Sequence, residues 1–106
     1  MSAAPVKATR IALLVLYSDH VEECRAFYTG LGLSFVQERH GRGPVHYAAT
    51  LPDGTVIELY PATAERPASR VRLGFTVDGR TMTPPLAPGR QVVDDPDGRA
   101  VEVYVV

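Results

Sequence analysis

The sequence of 106 residues has a single cysteine, Cys24, so no disulfide can close within the chain. A lone thiol suits a reducing compartment, and the expected location is the cytoplasm. No apolar run approaches the roughly 20 residues that a membrane span requires. The amino-terminal stretch "MSAAPVKATR" has no hydrophobic region of the kind that marks a chain for secretion. Excess charge is missing too. Eleven Lys and Arg against twelve Asp and Glu leave a net charge of -1, which gives neither nucleic acid nor an anionic membrane an electrostatic hold. What is present, 45% hydrophobic and 22% charged residues, is ordinary for one soluble globular domain with a modest core.

Residues 10–17, "RIALLVLY", read as a buried strand, and "SDHVEECRAFYTGLGL" as a helix. Asp19 is the expected N-cap, with Glu22 at capping-box spacing. Val21, Cys24, Phe27 or Tyr28, and Leu31 form the apolar stripe, and Gly30 and Gly32 are candidates for the left-handed C-cap. "LSFVQERH" is a second strand. "VHYAATL" and "TVIELYP" make a hairpin across Pro52-Asp53-Gly54. After a polar linker at 62–69, "RVRLGFTV" opens a second unit, and it aligns with the first strand at an offset of 60. "LPDGTVIELY" at 51–60 returns as "DPDGRAVEVY" at 95–104, however, at an offset of only 44. The second unit is therefore short by 16 residues. What it keeps there, "DGRTMTPPLAPG", is too rich in proline and glycine for a normal helix. The chain reads as α+β, an internal duplication of strand–helix–three-strand units with a truncated second half. The first module covers about residues 8–62 and the second about 70–106.

A three-residue turn with glycine in the left-handed position sets the hairpin registers. Leu51 then pairs with Thr55, Ala48 lies opposite Glu58 and His46 opposite Tyr60. In the second hairpin Asp95 pairs with Arg99, Val92 lies opposite Glu102 and Arg90 opposite Tyr104. Period-two alternation collects His46, Ala48, Glu58 and Tyr60 on one face, matched by Arg90, Val92, Glu102 and Tyr104. The opposite face, with Tyr47, Ala49, Leu51, Ile57, Leu59, Val101 and Val103, is apolar and must carry the helix. The polar face fits a solvated sheet surface and equally a cupped wall of a cavity. His20 in the first helical turn is expected in solvent, His40 on the loop before the third strand, and Cys24 buried and inert.

"CRAFYTGLGLSFV" and the two Pro-Asp-Gly stretches, in this order and spacing, resemble the vicinal oxygen chelate superfamily. That superfamily includes glyoxalase I, extradiol dioxygenases, and fosfomycin- and bleomycin-resistance proteins. The resemblance implies paired βαβββ modules and a small-molecule ligand. In metal-dependent relatives the ion is held by side chains on the first and last strands of each module. Glu58 and Glu102 match the last-strand positions, whereas the first-strand positions fall near Ala12, which cannot ligate, and Arg72, a cation. Among metal ligands, Glu58, Glu102 and His46 are the available set. The expected reading is a small-molecule binder with no catalytic metal and no cofactor, its pocket lined by His46, Glu58, Tyr60, Arg72, Arg90, Glu102 and Tyr104. A divalent metal and a lyase, isomerase or dioxygenase activity form the alternative, and a structural or regulatory module the third. Sheet left uncovered by the truncation implies a homodimer.

Overall fold

A computed structural model of the protein describes residues 6–82 and 84–106. Outside them lie residues 1–5, part of the stretch read for a secretion signal, and Thr83, part of the proline-rich segment. The chain runs β1 (Leu13–Ser18), α1 (Val21–Gly30), β2 (Phe35–Glu38), β3 (His46–Thr50), β4 (Val56–Pro61), β5 (Leu73–Val77), β6 (Gly89–Asp94) and β7 (Ala100–Val105), with a 3-10 turn at Gly79–Thr81. Two sheets result, one ordered β1-β4-β3-β2 and the other β5-β7-β6. In each, the first strand runs parallel to the last, and the hairpins are antiparallel. The second sheet lacks a counterpart of β2, and among the described residues only the 3-10 turn stands where a second helix would. The α+β fold and the truncated second unit are as expected.

Both hairpins take the expected turn. The amide of Leu51 donates to Thr55 and that of Asp95 to Arg99, at 2.8 and 3.0 Å. Gly54 and Gly98 have φ of 91° and 84°, backbone that a side chain would strain. Ala48 faces Glu58 and Val92 faces Glu102, so the polar face forms as read.

The ladder corrects the alignment of the first strands. Glu58 lies beside Val15 and Glu102 beside Gly74, so the strands correspond at an offset of 59, against 44 for the hairpins, and the second unit is short by 15 residues, not the expected 16. Arg72 is thereby the counterpart of Leu13, and Ala12 belongs to the other side of its strand. The paired Arg-Ile and Arg-Val dipeptides suggested 60, but hairpin register fixes which side chains share a face.

Helix α1 also departs from expectation at its start. His20, not Asp19, occupies the N-cap position, and no side chain of that residue caps the helix. Instead Ser18 Oγ accepts from the His20 amide at 2.9 Å, and Asp97 of the second hairpin accepts from the Asp19 amide at 3.1 Å. A tertiary contact has replaced the local capping box. At the other end Gly32, with φ of 101°, takes the left-handed conformation, while Gly30 remains helical.

The core is one cluster lying between the sheets' apolar faces and α1. It includes Leu16, Cys24, Tyr28, Tyr47, Ile57, Leu59, Val101 and Val103, all buried. Each of the larger aliphatic side chains contributes about 1.5–3 kcal/mol by leaving water. Tyr28 is central to it. Its ring meets Phe75 of β5 with centroids 6.0 Å apart, and its hydroxyl donates to Asp95 at 2.5 Å. One helix thus serves both sheets. The chain after β5 covers the end of the second sheet, passing so close that a β-carbon on Gly79 would lie 2.2 Å from the Leu86 carbonyl oxygen.

Candidate functional site

The side chains predicted for the site all project from the polar faces of the two sheets, but they form two groups. The first gathers around His46 at the start of β3. Register places Glu38, the last residue of β2, directly opposite. His46 is 1% exposed, with Nε2 3.6 Å from a carboxylate oxygen of Glu38 and 3.6 Å from one of Glu58. Its Nδ1 is 3.2 Å from the Pro44 carbonyl, which can only accept, so in the neutral ring Nδ1 carries the proton. Tyr60 stacks on the imidazole at 4.0 Å and 11°, and Tyr17 lies 6.0 Å beyond it. Burial, with the charges of Glu58, Tyr17 and Glu38 nearby, raises the Tyr60 phenol.

The second group centres on Glu102. Arg72 donates to its carboxylate at 2.7 Å, Tyr104 at 2.5 Å, and Arg90 donates to it as well. These hydrogen bonds, Tyr104 first and then Arg72 and Arg90, bring the Glu102 carboxyl down to about 2. Two guanidinium groups on one carboxylate leave this half of the face cationic. The half around Glu38 and Glu58 is anionic. Exposed apolar side chains stand among them, with Leu13 and Val36 on the first sheet and Val92 and the Tyr104 ring on the second.

A divalent ion shared between the sheets would need donors beside both glutamates on the first strands. Val15 and Gly74 occupy those places, with Leu13 and Arg72 at the adjacent ones, and Glu102 is already occupied by cations. The residues present do not fit such an ion. Among the described residues, the groups of ligand atoms close enough to share a metal are Glu38–His40–His46 and Cys24–Asp95–Asp97. Neither Glu58 nor Glu102 falls within them.

Sequence reasoning missed Glu38 and Tyr17. Glu38 reaches His46 only because β2 pairs with β3 across a long loop, and no turn motif in "RHGRGP" announces that register. Tyr17 follows from alternation on β1 once the strand is known to end at Ser18.

It also missed a buried polar network where the two halves join. Asp95 and Arg99 pair at 2.6 Å, and Asp97 lies 3.0 Å from the same guanidinium. Ser18 Oγ donates to Asp97 at 2.5 Å, and Arg99 donates to the Tyr17 carbonyl at 2.6 Å. Burial opposes the charge on Asp97, yet hydrogen bonds from Ser18 and Cys24, with Arg99 beside it, hold its carboxyl below the ordinary range. Burial pushes the Cys24 thiol up to about 11, which makes it unreactive as expected. Among the described residues no buried side-chain polar atom is left without a partner, so this network is fully satisfied and holds the two halves together.

A groove of about 470 Å³ lies apart from the polar face, between Leu33, Leu51, Asp53, Phe75, Val77 and Met82. It contains none of the predicted site residues. No helix among the described residues is long and apolar enough to cross a membrane.

The family model described as glyoxalase/bleomycin resistance protein/dioxygenase superfamily matches residues 10–81. No curated protein matches the chain significantly. Several solved structures share the fold. A glyoxalase/dioxygenase from Nostoc punctiforme is 19% identical over 98% of both chains, with a TM-score of 0.64. TnmS3, an antibiotic binding protein from Streptomyces sp. CB03234, is 15% identical over 95% of this chain and 98% of its own, with a TM-score of 0.64. Lactoylglutathione lyase from Agrobacterium tumefaciens is 18% identical over 92% and 94%, with a TM-score of 0.59.

Proposed function

This chain belongs to the glyoxalase/bleomycin resistance protein/dioxygenase superfamily, and we propose that within it the protein binds a small aromatic molecule with no metal bridging its two halves. One observation carries this reading: Glu102, the last-strand glutamate of the second half, is neutralised by Arg72 and Arg90, and Gly74 stands beside it. A metal-dependent lyase or dioxygenase of the vicinal oxygen chelate type needs that position as a ligand. What the face offers in its place is stacking surface from Tyr60 and Tyr104, two guanidinium donors and scattered apolar side chains, a combination suited to a flat, partly polar ligand. An antibiotic-binding relative of the same fold supports the binding class.

The face is open, and a pocket needs a second wall. A second copy of the chain supplies one with complementary charge if the anionic half of one protomer meets the cationic half of its partner. We therefore read the binding unit as a homodimer. Its sites would be lined by His46, Glu58 and Tyr60 from one chain and Arg72, Arg90, Glu102 and Tyr104 from the other.

The chain has no tryptophan, so its fluorescence comes from five tyrosines, Tyr60 and Tyr104 among them. Titration with bleomycin and a panel of polycyclic aromatic antibiotics is expected to quench it with the same affinity in the presence and absence of a chelator. Tyr104→Ala should weaken binding several-fold. Metal-dependent turnover of a hemithioacetal or a catechol, abolished by the chelator, would establish the enzymatic alternative and end this proposal.

A further inference from the structure

The chemistry around His46 is not accounted for by ligand stacking. A neutral imidazole protonated at Nδ1 presents a lone pair at Nε2, and two carboxylates lie 3.6 Å from that atom. Negative charge facing a lone pair at that distance is unfavourable without something positive between them. The Tyr60 hydroxyl comes within 3.2 Å of Nε2, but the two rings are stacked 4.0 Å apart and nearly parallel. The hydroxyl therefore reaches Nε2 from over the ring face, a poor direction for the lone pair, which lies in the ring plane. His40, whose ring centroid is 5.0 Å from that of His46, brings a second imidazole to the same spot.

We propose that Glu38, His40 and His46 form a binding site for a divalent first-row transition ion, built within the first sheet alone at the His46 edge of the polar face. One ligand atom from each of the three lies within 4.8 Å of the others. Two imidazoles and a carboxylate are a donor set for zinc and its neighbours, and Glu58, with a carboxylate oxygen 3.6 Å from Nε2, is a further carboxylate beside them. The Pro44 carbonyl already fixes His46 as a metal-binding histidine requires, by accepting from its other ring nitrogen. This site differs from one shared between the halves in using no residue of β1 or of the second sheet. An ion here would tie the loop between β2 and β3 to the sheet through His40.

The test is calorimetric titration of the full, tag-free chain with zinc chloride after removal of adventitious metal. One zinc per chain is expected. His40 is exposed and Glu38 half-buried at a strand end, so His40→Ala and Glu38→Gln should fold normally, as circular dichroism would verify. Removing a ligand should cost at least what removing an outer-shell partner does, so each variant should lose about 10–100-fold in affinity. His20→Ala, on the helix, should lose none. Cobalt(II) in place of zinc should give visible absorption bands that vanish in both site variants. A doubly protonated His46 bridging the carboxylates is the competing arrangement. No stoichiometric zinc, or zinc binding that either site variant leaves unchanged, would establish that arrangement or mere surface binding and overturn the site.

Discussion

Glu58 and Glu102 stand at equivalent points of two hairpins, yet the residues around them have made them different groups. Glu58 sits 16% exposed beside a histidine, and Glu102 sits 18% exposed between two arginines. The repeat made both visible in the sequence, and Arg72 and Arg90 both pair with Glu102. Glu38 stayed hidden because a strand pairing across a loop decides its neighbour, and local sequence carries no mark of it. The Glu102 environment makes a measurable claim. Its folded pKa of about 2 lies below the ordinary 4.5, so its ion pairs stabilise the fold fully above about pH 4.5. That contribution is lost as pH falls toward 2. Side-chain carbon NMR of Glu102 should therefore show no titration step above pH 4, and Glu102→Gln should flatten the loss of stability between pH 4.5 and 2. A normal step near 4.5 would mean the arginines do not hold it in solution.

Secondary-structure elements were legible wherever a local rule decided them. The two Pro-Asp-Gly turns, the apolar stripe of α1 and the absence of a regular helix among the described residues of the proline-rich stretch all follow from spacing and backbone chemistry. The start of α1 was not legible, because its caps come from Ser18 and from Asp97, 78 residues away from Asp19. The two hairpin turns likewise look equivalent in sequence but are not. Asp53 accepts only from the backbone of Thr55 and is exposed, whereas Asp97 is buried against Ser18, Cys24 and Arg99. Asp97→Ala should then cost about 3 kcal/mol or more by leaving Arg99 with less than its share of negative charge. Asp53→Ala should cost about 1 kcal/mol or less, as the loss of one exposed hydrogen bond does. Urea unfolding of the two variants measures the contrast, and equal losses would remove the second turn from its role as the joint between the halves.

At the scale of the whole chain, the duplication and its truncation were readable from two offsets, but their consequence for shape was not. The radius of gyration is 15.7 Å, with extents of 53 × 35 × 23 Å. About 13 Å is usual for a compact domain of this length. Leu13 and Val36 on the first sheet and Val92 and Tyr104 on the second leave apolar surface exposed, and β5 is an open edge. Such a surface is costly to keep in water, and two-fold pairing is the commonest way to bury it. Light scattering should report about 23 kDa, twice the chain mass of 11.5 kDa, at micromolar concentration. Val92→Asp should shift the protein toward the single-chain mass without unfolding it. A wild-type monomer across the dilution series would dispose of the homodimer and of the shared pocket with it.

That one α-helix among the described residues serves both sheets makes the two halves unequal partners. A sheet that keeps its own helix can be detached, copied again or joined to another partner. The second sheet here has none, and Tyr28, which belongs to the first unit, supplies its contact with Phe75 and holds Asp95. With that dependence, the shortened half relies on the first half for part of its core. A substitution at Tyr28 is therefore felt in both halves at once.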